Sequence, residues 1–319
     1  MRVETLTASY LLDWILGDPE SLPHPVRFIG NAIATGERVL RRPGSGPAVE
    51  LIGGLVLTGG VVAGSAFAVS KLLSVLHRRC SSGGRAVEIW LGASCLATRN
   101  LLDEASSVVQ ALEDSDFERA RLRLSRIVGR DTAGLDASEI ARAVVETLAE
   151  SLCDGVIAPL TYMVIGGVPM AMAHKAVNTL DSMIGHRDAD YEWFGKAAAR
   201  LDDAANFLPA RIAALLVCGA CAILESGNTG SAWRTWRLDG LKHASPNAGQ
   251  TESAMAGALR VQLGGVNMYH GERVETPLLG SGFSSPDVHH ARRALRITAL
   301  ASVLGFAVGF LVLSGRRSG

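Results

Sequence analysis

Acidic side chains recur every four residues at Glu146, Glu150 and Asp154, downstream of the polar run Gly129-Arg130-Asp131-Thr132. On a helix this spacing sets the three carboxylates along one stripe. Together with Asp203 further along the chain, they are candidate oxygen ligands for a hard cation such as magnesium. A plainer reading stays open, a wet helix face on which Arg142 pairs with Glu146 one turn later. Beside an apolar segment, however, carboxylates are costly enough to call for a binding role. Arg130 and Asp131 are the matching candidates for contact with a charged substrate.

The densest polar block runs from His174-Lys175 through Asn178-Thr179, Asp181-Ser182 and His186-Arg187, then to Arg200-Leu201-Asp202-Asp203 and Asn206. Lys175, Asn178, Thr179, Asp181 and Ser182 lie in part three or four apart and form a broad polar face on one helix. On that face Lys175 suits a phosphate and Asp181 a magnesium ion. The pair Asp202-Asp203 also suits a hard cation, although neighbours on a helix point about 100° apart and need not share an ion. Lys175, Asp181, Arg200 and Asp202 form the candidate catalytic set, with Asn178, Arg187 and Asn206 as candidate substrate contacts. A structural ion-pair network between two helices is the competing reading.

Two further blocks carry weaker signals. Near the start, Asp18-Pro19 and Leu22-Pro23-His24-Pro25-Val26-Arg27 impose a stiff extended path, on which Asp18 and Arg27 can hold an anionic or metal-bound group. A helix stop followed by a solvated turn explains the same prolines. Later, Ser245-Pro246-Asn247-Ala248-Gly249 reads as a tight turn whose N–H groups, with Ser245 and Asn247, can receive an anion at the next helix start. A simple helix cap is the stronger of those two readings.

The elements that must position these blocks are helices. Leu51 to Leu76 is long enough to span a bilayer and holds Lys71 near one end. Ile297 to Leu313 is a second span, flanked on both sides by arginines that leave its orientation open. Gly155 to Ala173 is apolar but interrupted by Gly166-Gly167-Val168-Pro169, which predicts a re-entrant helical hairpin. Ile212 to Leu224 is shorter than a full span and reads as a buried or tilted helix. Leu101, Leu102, Ala105, Val108, Val109 and Leu112 share one helical face. Asp136-Ala-Ser-Glu139 has the form of a capping box. No strand-like alternation of useful length is visible. The expected fold is all-α: a polytopic integral membrane helical protein with long polar connections, forming one domain over residues 1–319.

Composition agrees with that class. Of 319 residues 48% are hydrophobic and only 19% charged, with 35 glycines, and the mean hydropathy is +0.23. Those values favour helices packed in lipid over an ordinary soluble domain. A formal net charge of +0 gives no basic footprint for nucleic acid, which is not an expected partner. The cysteines Cys80, Cys95, Cys153, Cys218 and Cys221 have no paired metal spacing and read as structural. Glu4, Asp13 and Asp18 in the opening segment argue against a cleavable signal peptide.

Taken together, the blocks resemble the CobD/CbiB family of cobalamin biosynthesis proteins, the adenosylcobinamide-phosphate synthases. The resemblance runs from Leu12-Asp13-Trp14 to Gly30, and through Gly129-Arg130-Asp131, Glu146-Thr147 to Leu160, Lys175 to Met183, Ala198 to Asp203, and Ser245 to Gly249. The chain departs from the family's pattern at Ser151, His174 and Lys196. The resemblance implies a multi-pass protein of the cell membrane that attaches aminopropanol, or its phosphate, to a propionate carboxylate of adenosylcobyric acid. The corrinoid is thus a substrate. A carboxylate does not acylate an amine unaided, so ATP and Mg2+ are the implied cofactors, with an acyl phosphate as one route. No Walker-type Gly-rich loop is present, so an ATP site would be of another design. Other corrinoid enzymes or a second copy of the chain are further possible partners. The rival readings are a membrane transporter or sensor for a corrinoid or small metabolite, and a scaffold for corrinoid enzymes.

Overall fold

Residues 1–17, 24–42, 44–186, 190–269 and 271–316 are described by a computed structural model. In chain order the helices are α1 (Val3–Leu16), α2 (Pro25–Leu40), α3 (Pro47–Arg79), α4 (Ser81–Ala93), α5 (Thr98–Glu113), α6 (Phe117–Leu124) and α7 (Ala137–Leu152). A π-helical turn, Cys153–Ile157, leads into α8 (Ala158–Ile184), followed by α9 (Lys196–Ala205), α10 (Phe207–Leu224), α11 (Thr229–Asp239) and α12 (Ala248–Leu259). Two strands, β1 (Leu263–Tyr269) and β2 (Glu272–Leu279), precede the last helix, α13 (Val288–Gly315).

Four helical stretches among the described residues are long and apolar enough to cross a membrane: Pro47–Arg79, Ala137–Ile184, Phe207–Leu224 and Val288–Gly315. They also expose large apolar side chains, such as Ile52 and Phe67 on α3, Ile223 on α10 and Leu311 on α13. Exposed apolar faces of this kind need lipid to cover them. The third stretch corrects the expectation of a short helix at Ile212. Helix α10 begins at Phe207, because Pro209 falls in the first turn, where its missing N–H breaks no helical bond. Its 18 residues reach about 27 Å at 1.5 Å each. Arg211 stays near that end by stacking on the Phe207 ring, 3.5 Å from its centroid.

The chain divides into two compact units. The first comprises Met1–Ala97, Ala158–Asn206 and the chain from Val308 onward. In it α3 packs against α2, α4, α8 and α9. The proline-rich start of α2 is a helix start, with Pro25 in the first turn and His24 Nδ1 accepting the Val26 N–H at 3.2 Å.

The expected hairpin is present within α8. Gly167 adopts φ 73 and ψ −166, a combination essentially restricted to glycine, with Pro169 two residues on. Tyr162 and His174 lie 12 positions apart in sequence, which in an unbroken helix would separate them by about 18 Å. Their rings instead stack with centroids 5.0 Å apart, so the second half of α8 returns alongside the first.

The second unit comprises Thr98–Ile157 and Phe207–Ala307. Its centre is α12, of which every residue is buried, against α7, α10, α11 and the strands. The small residues of that helix allow the close approach. Helix α5 buries Leu101, Ala105, Val108, Val109 and Leu112, the face read from their spacing. The capping box of α7 is formed in both directions: Asp136 Oδ1 accepts the Glu139 N–H and Glu139 Oε2 the Asp136 N–H, each at 2.8 Å.

The fold is helical as expected, with one small two-stranded sheet that no alternation in the sequence announced. β1 and β2 pair antiparallel, with Tyr269 opposite Glu272 and Gly271, at φ 80, in the turn. The register slips between Leu263 and Gly265, leaving Gly264 as a bulge at φ 81. That slip and the glycines interrupt the alternation by which strands are recognised in a sequence.

Candidate functional site

A polar cavity of about 230 Å³ lies in the second unit between α7, α12 and the β-hairpin. Its central charge is Glu146, on the α7 face turned away from solvent. Arg130 binds Glu146 Oε2 through Nη2 and donates from Nη1 to Asn267 Oδ1 at 2.7 Å. The other carboxylate oxygen, Oε1, accepts the bulge N–H of Gly264 at 2.8 Å, with Arg142 Nη1 3.6 Å away. Arg142 also donates to the carbonyls of Gly264 and Val266, so it clamps the strand to the helix. The pairing of Arg142 with Glu146 is therefore real but buried; it is not a wet surface pair. Asp131 holds the far end of the hairpin, its N–H reaching the Met268 carbonyl and its Oδ2 accepting the Gly271 N–H, both at 2.8 Å.

Glu150 and Ser151 continue the lining one turn on, but Asp154 does not take part. The π turn that starts at Cys153 is wider than an α turn, so the four-residue stripe does not carry on to Asp154.

Among the lining residues without an assigned role in the sequence reading are Glu252, His243 and Asn267. Glu252 projects from α12 and is only 6% exposed. Its carboxyl makes no hydrogen bond among the described residues. Burial raises its pKa well above the usual carboxylate range, the charges of Glu146 and Glu150 push it further, and Arg130 opposes them. His243 Nδ1 accepts the Ser245 N–H at 3.0 Å, and burial lowers the ring's pKa, which keeps it neutral near pH 7. The sequence offered a signal only for Glu252, an acid in an otherwise small and apolar helix.

Ser245 acts as a cap. Its Oγ accepts the N–H groups of Asn247 and Ala248 at 3.3 and 3.2 Å, which takes up donors that an anion would need. Asn247 is buried beside it.

The remaining candidates lie in the first unit. Lys175 and Asn178 sit half-buried on the returning half of α8, where Thr179 and Ser182 bond to carbonyls of their own helix. Asp181 is half-buried on the same segment. Asp202 turns inward and receives Asn206 Nδ2 at 3.1 Å on both oxygens. That bond orients Asn206 Oδ1 toward His174 Nε2, 2.8 Å away, so His174 carries its proton on Nε2. Asn206, 1% exposed, is thereby a structural link between α8 and α9. Arg200 points the other way, with its side chain 76% exposed and Asp203 3.8 Å from it. Arg200 and Asp202 thus do not converge on one group. Arg27 is exposed on α2. Asp18 and Arg187 lie outside the described residues.

As to magnesium, both Glu146 oxygens are occupied, Asp202 is bound to Asn206, and Asp203 faces Arg200. Among the described residues no group of three or more His, Cys, Asp or Glu side chains is arranged to hold a metal ion. The described carboxylates thus form no preassembled set of three or more donors for magnesium.

Four helical stretches long and apolar enough to span a membrane, with exposed apolar faces, define a polytopic helical membrane protein. The profile of the CobD/Cbib protein family matches residues 6–298, and the chain belongs to that family. It is 42% identical over 317 residues to "Cobalamin biosynthesis protein CbiB" of Salmonella typhi, covering 97% of this chain and 96% of that protein. It is 46% identical over 290 residues to "Cobalamin biosynthesis protein CobD" of Geobacter metallireducens, covering 90% and 89%. No solved structure matches the chain.

Proposed function

We propose that this protein carries out the amide-forming step of cobalamin biosynthesis, joining aminopropanol or its phosphate to a propionate carboxylate of adenosylcobyric acid. Its place in cobalamin biosynthesis follows from the family and from relatives that match it nearly end to end. The observation that carries the site is the convergence of Arg130, Glu146 and Glu150, from two separate stretches of family resemblance, on one enclosed polar cavity. The proposal includes ATP and magnesium as the source of activation, since an oxide is too poor a leaving group for direct acylation. With no preassembled donor set among the described residues, magnesium would arrive on the nucleotide phosphates. Lys175 and the exposed Arg200 are the proposed contacts for anionic groups, and Asp181 the proposed contact for the magnesium they carry. A multi-pass position in the cell membrane completes the reading.

The test is turnover by the purified protein in detergent or lipid nanodiscs. Adenosylcobyric acid, MgATP and either aminopropanol or its phosphate are supplied, and the product is followed by mass spectrometry. The expected result is one new amide per corrinoid with loss of water, dependent on ATP. Transport of the corrinoid across proteoliposomes without any amide product would instead support a transporter.

A further inference from the structure

The cavity of the second unit has a composition that selects among the reactants. We propose that it is the pocket for the amine co-substrate, taking the primary ammonium end of a small amino alcohol against the Glu252 carboxylate. This assignment rests on the amide-forming reading above and deepens it by saying which reactant the cavity holds.

Size is the first argument. Allowing on the order of 30 Å³ per non-hydrogen atom, the share of one water in the liquid, a five-atom amino alcohol needs roughly 150 Å³. That fits within about 230 Å³. A corrinoid, with more than ten times as many atoms, does not. A phosphate on the alcohol adds four atoms and brings the need to roughly 270 Å³, so the phosphate would extend through the mouth.

Charge is the second. Arg130 faces three acidic side chains, Glu146, Glu150 and Glu252, so acidic groups outnumber basic ones among the described lining residues. Arg130 is moreover committed to Glu146 and Asn267 and is not available to an incoming anion. An acidic lining repels phosphate and attracts an ammonium.

The third argument is Glu252 itself. It is buried, faces the cavity, and makes no hydrogen bond among the described residues. Buried carboxylates are normally paired, and an unpaired one marks a place where a partner arrives. An ammonium brings three donors, enough to engage Glu252 and to leave others for neighbouring oxygens. Glu150, exposed at the rim, adds a guiding charge.

The experiment is calorimetric titration of the full-length protein in nanodiscs with 1-aminopropan-2-ol, its neutral isostere propane-1,2-diol, and magnesium chloride alone. The amine is expected to bind at least tenfold more tightly than the diol. Glu252→Gln should lose at least tenfold in amine affinity, and Glu150→Gln about threefold. Equal binding of amine and diol would overturn the proposal, as would unchanged amine affinity in Glu252→Gln. Magnesium that competes with the amine through Glu252 would also overturn it. If Glu252→Gln fails to fold, unchanged affinity in Glu150→Gln decides against the pocket. Amide turnover in the same preparations separates the two readings. A wild-type protein that forms the amide, with an amine KM unmoved by Glu252→Gln, refutes the pocket and leaves the reaction. One that binds the amine through Glu252 but forms no amide refutes the reaction and leaves the pocket.

Discussion

Replacing Arg130 by Met removes the cation that neutralises Glu146 while keeping much of the side chain's apolar length. Both partners are buried, with side chains 10% and 7% exposed, so the bond is not a surface pair of negligible weight. Breaking such a pair typically costs about 3–5 kcal/mol, because the remaining charge stays buried. Here Glu146 keeps the Gly264 N–H at 2.8 Å and Arg142 at 3.6 Å, which favours the lower end. Losing the Arg130 bond to Asn267 adds about 1 kcal/mol. The sum is about 4 kcal/mol, or a fall of roughly 8–16 °C in melting temperature at about 2–4 °C per kcal/mol. Arg130→Lys should fall in between, since a single ammonium lacks the fork that reaches Glu146 and Asn267 together. The assay is thermal unfolding in nanodiscs at one scan rate, with Glu146→Gln and the double variant completing a mutant cycle. Raising salt from 0.1 to 0.5 M should leave the wild-type value almost unchanged, as screening acts mainly on exposed charges. A shift under 2 °C, or single effects that simply add in the double variant, would refute the reasoning.

Since the folded-state pKa of Glu252 is raised, the wild type should lose stability as pH rises above about 4.3, the unfolded value. Glu252→Gln should therefore melt at a higher temperature than wild type at pH 8 and close to it at pH 4.5; an equal difference at both values would exclude Glu252 as the cause. The groups acting on Glu252 are Glu146 and Glu150 from α7 and Arg130 from the preceding loop, so this comparison should be sharper in Arg130→Met. Gly167→Ala forces a side chain into a backbone region reached almost only by glycine, for about 1–3 kcal/mol, and unfolding measurements that show no loss would mean the α8 turn relaxes freely. Arg200→Lys should leave the melting temperature within about 1 °C, since an exposed pair contributes about 0–1 kcal/mol, yet lower amide turnover if the guanidinium grips an anion; unchanged turnover removes Arg200 from the substrate contacts.

What could be read from the sequence was what the chain settles locally. Gly166-Gly167-Val168-Pro169 announces the α8 hairpin because one glycine conformation and one proline are enough to turn a helix. Asp136 and Glu139 announce the start of α7 because a capping box is complete within four residues. The strands escaped because Gly264 and Gly265 sit where alternation should begin, and both have positive φ. Helix α10 looked too short because Pro209 resembles a stop, whereas in a first turn it is a permitted start.

The charged cavity was half legible for a related reason. Glu146 and Glu150 share a helix, so their spacing alone places them together. Arg130 meets Asn267 across 137 positions, and Glu146 meets Gly264 across 118. No local pattern encodes contacts at that separation; they exist only once α12 is packed inside the second unit. The bulge at Gly264 is what completes the arrangement, since it frees one N–H from the ladder and turns it toward a buried carboxylate. With Glu146 satisfied in this way by Arg130, Arg142 and the bulge, the unsatisfied acid is Glu252, contributed by the most buried helix. That lone acid in a helix of small residues is therefore the one whose buried position calls for a cationic partner.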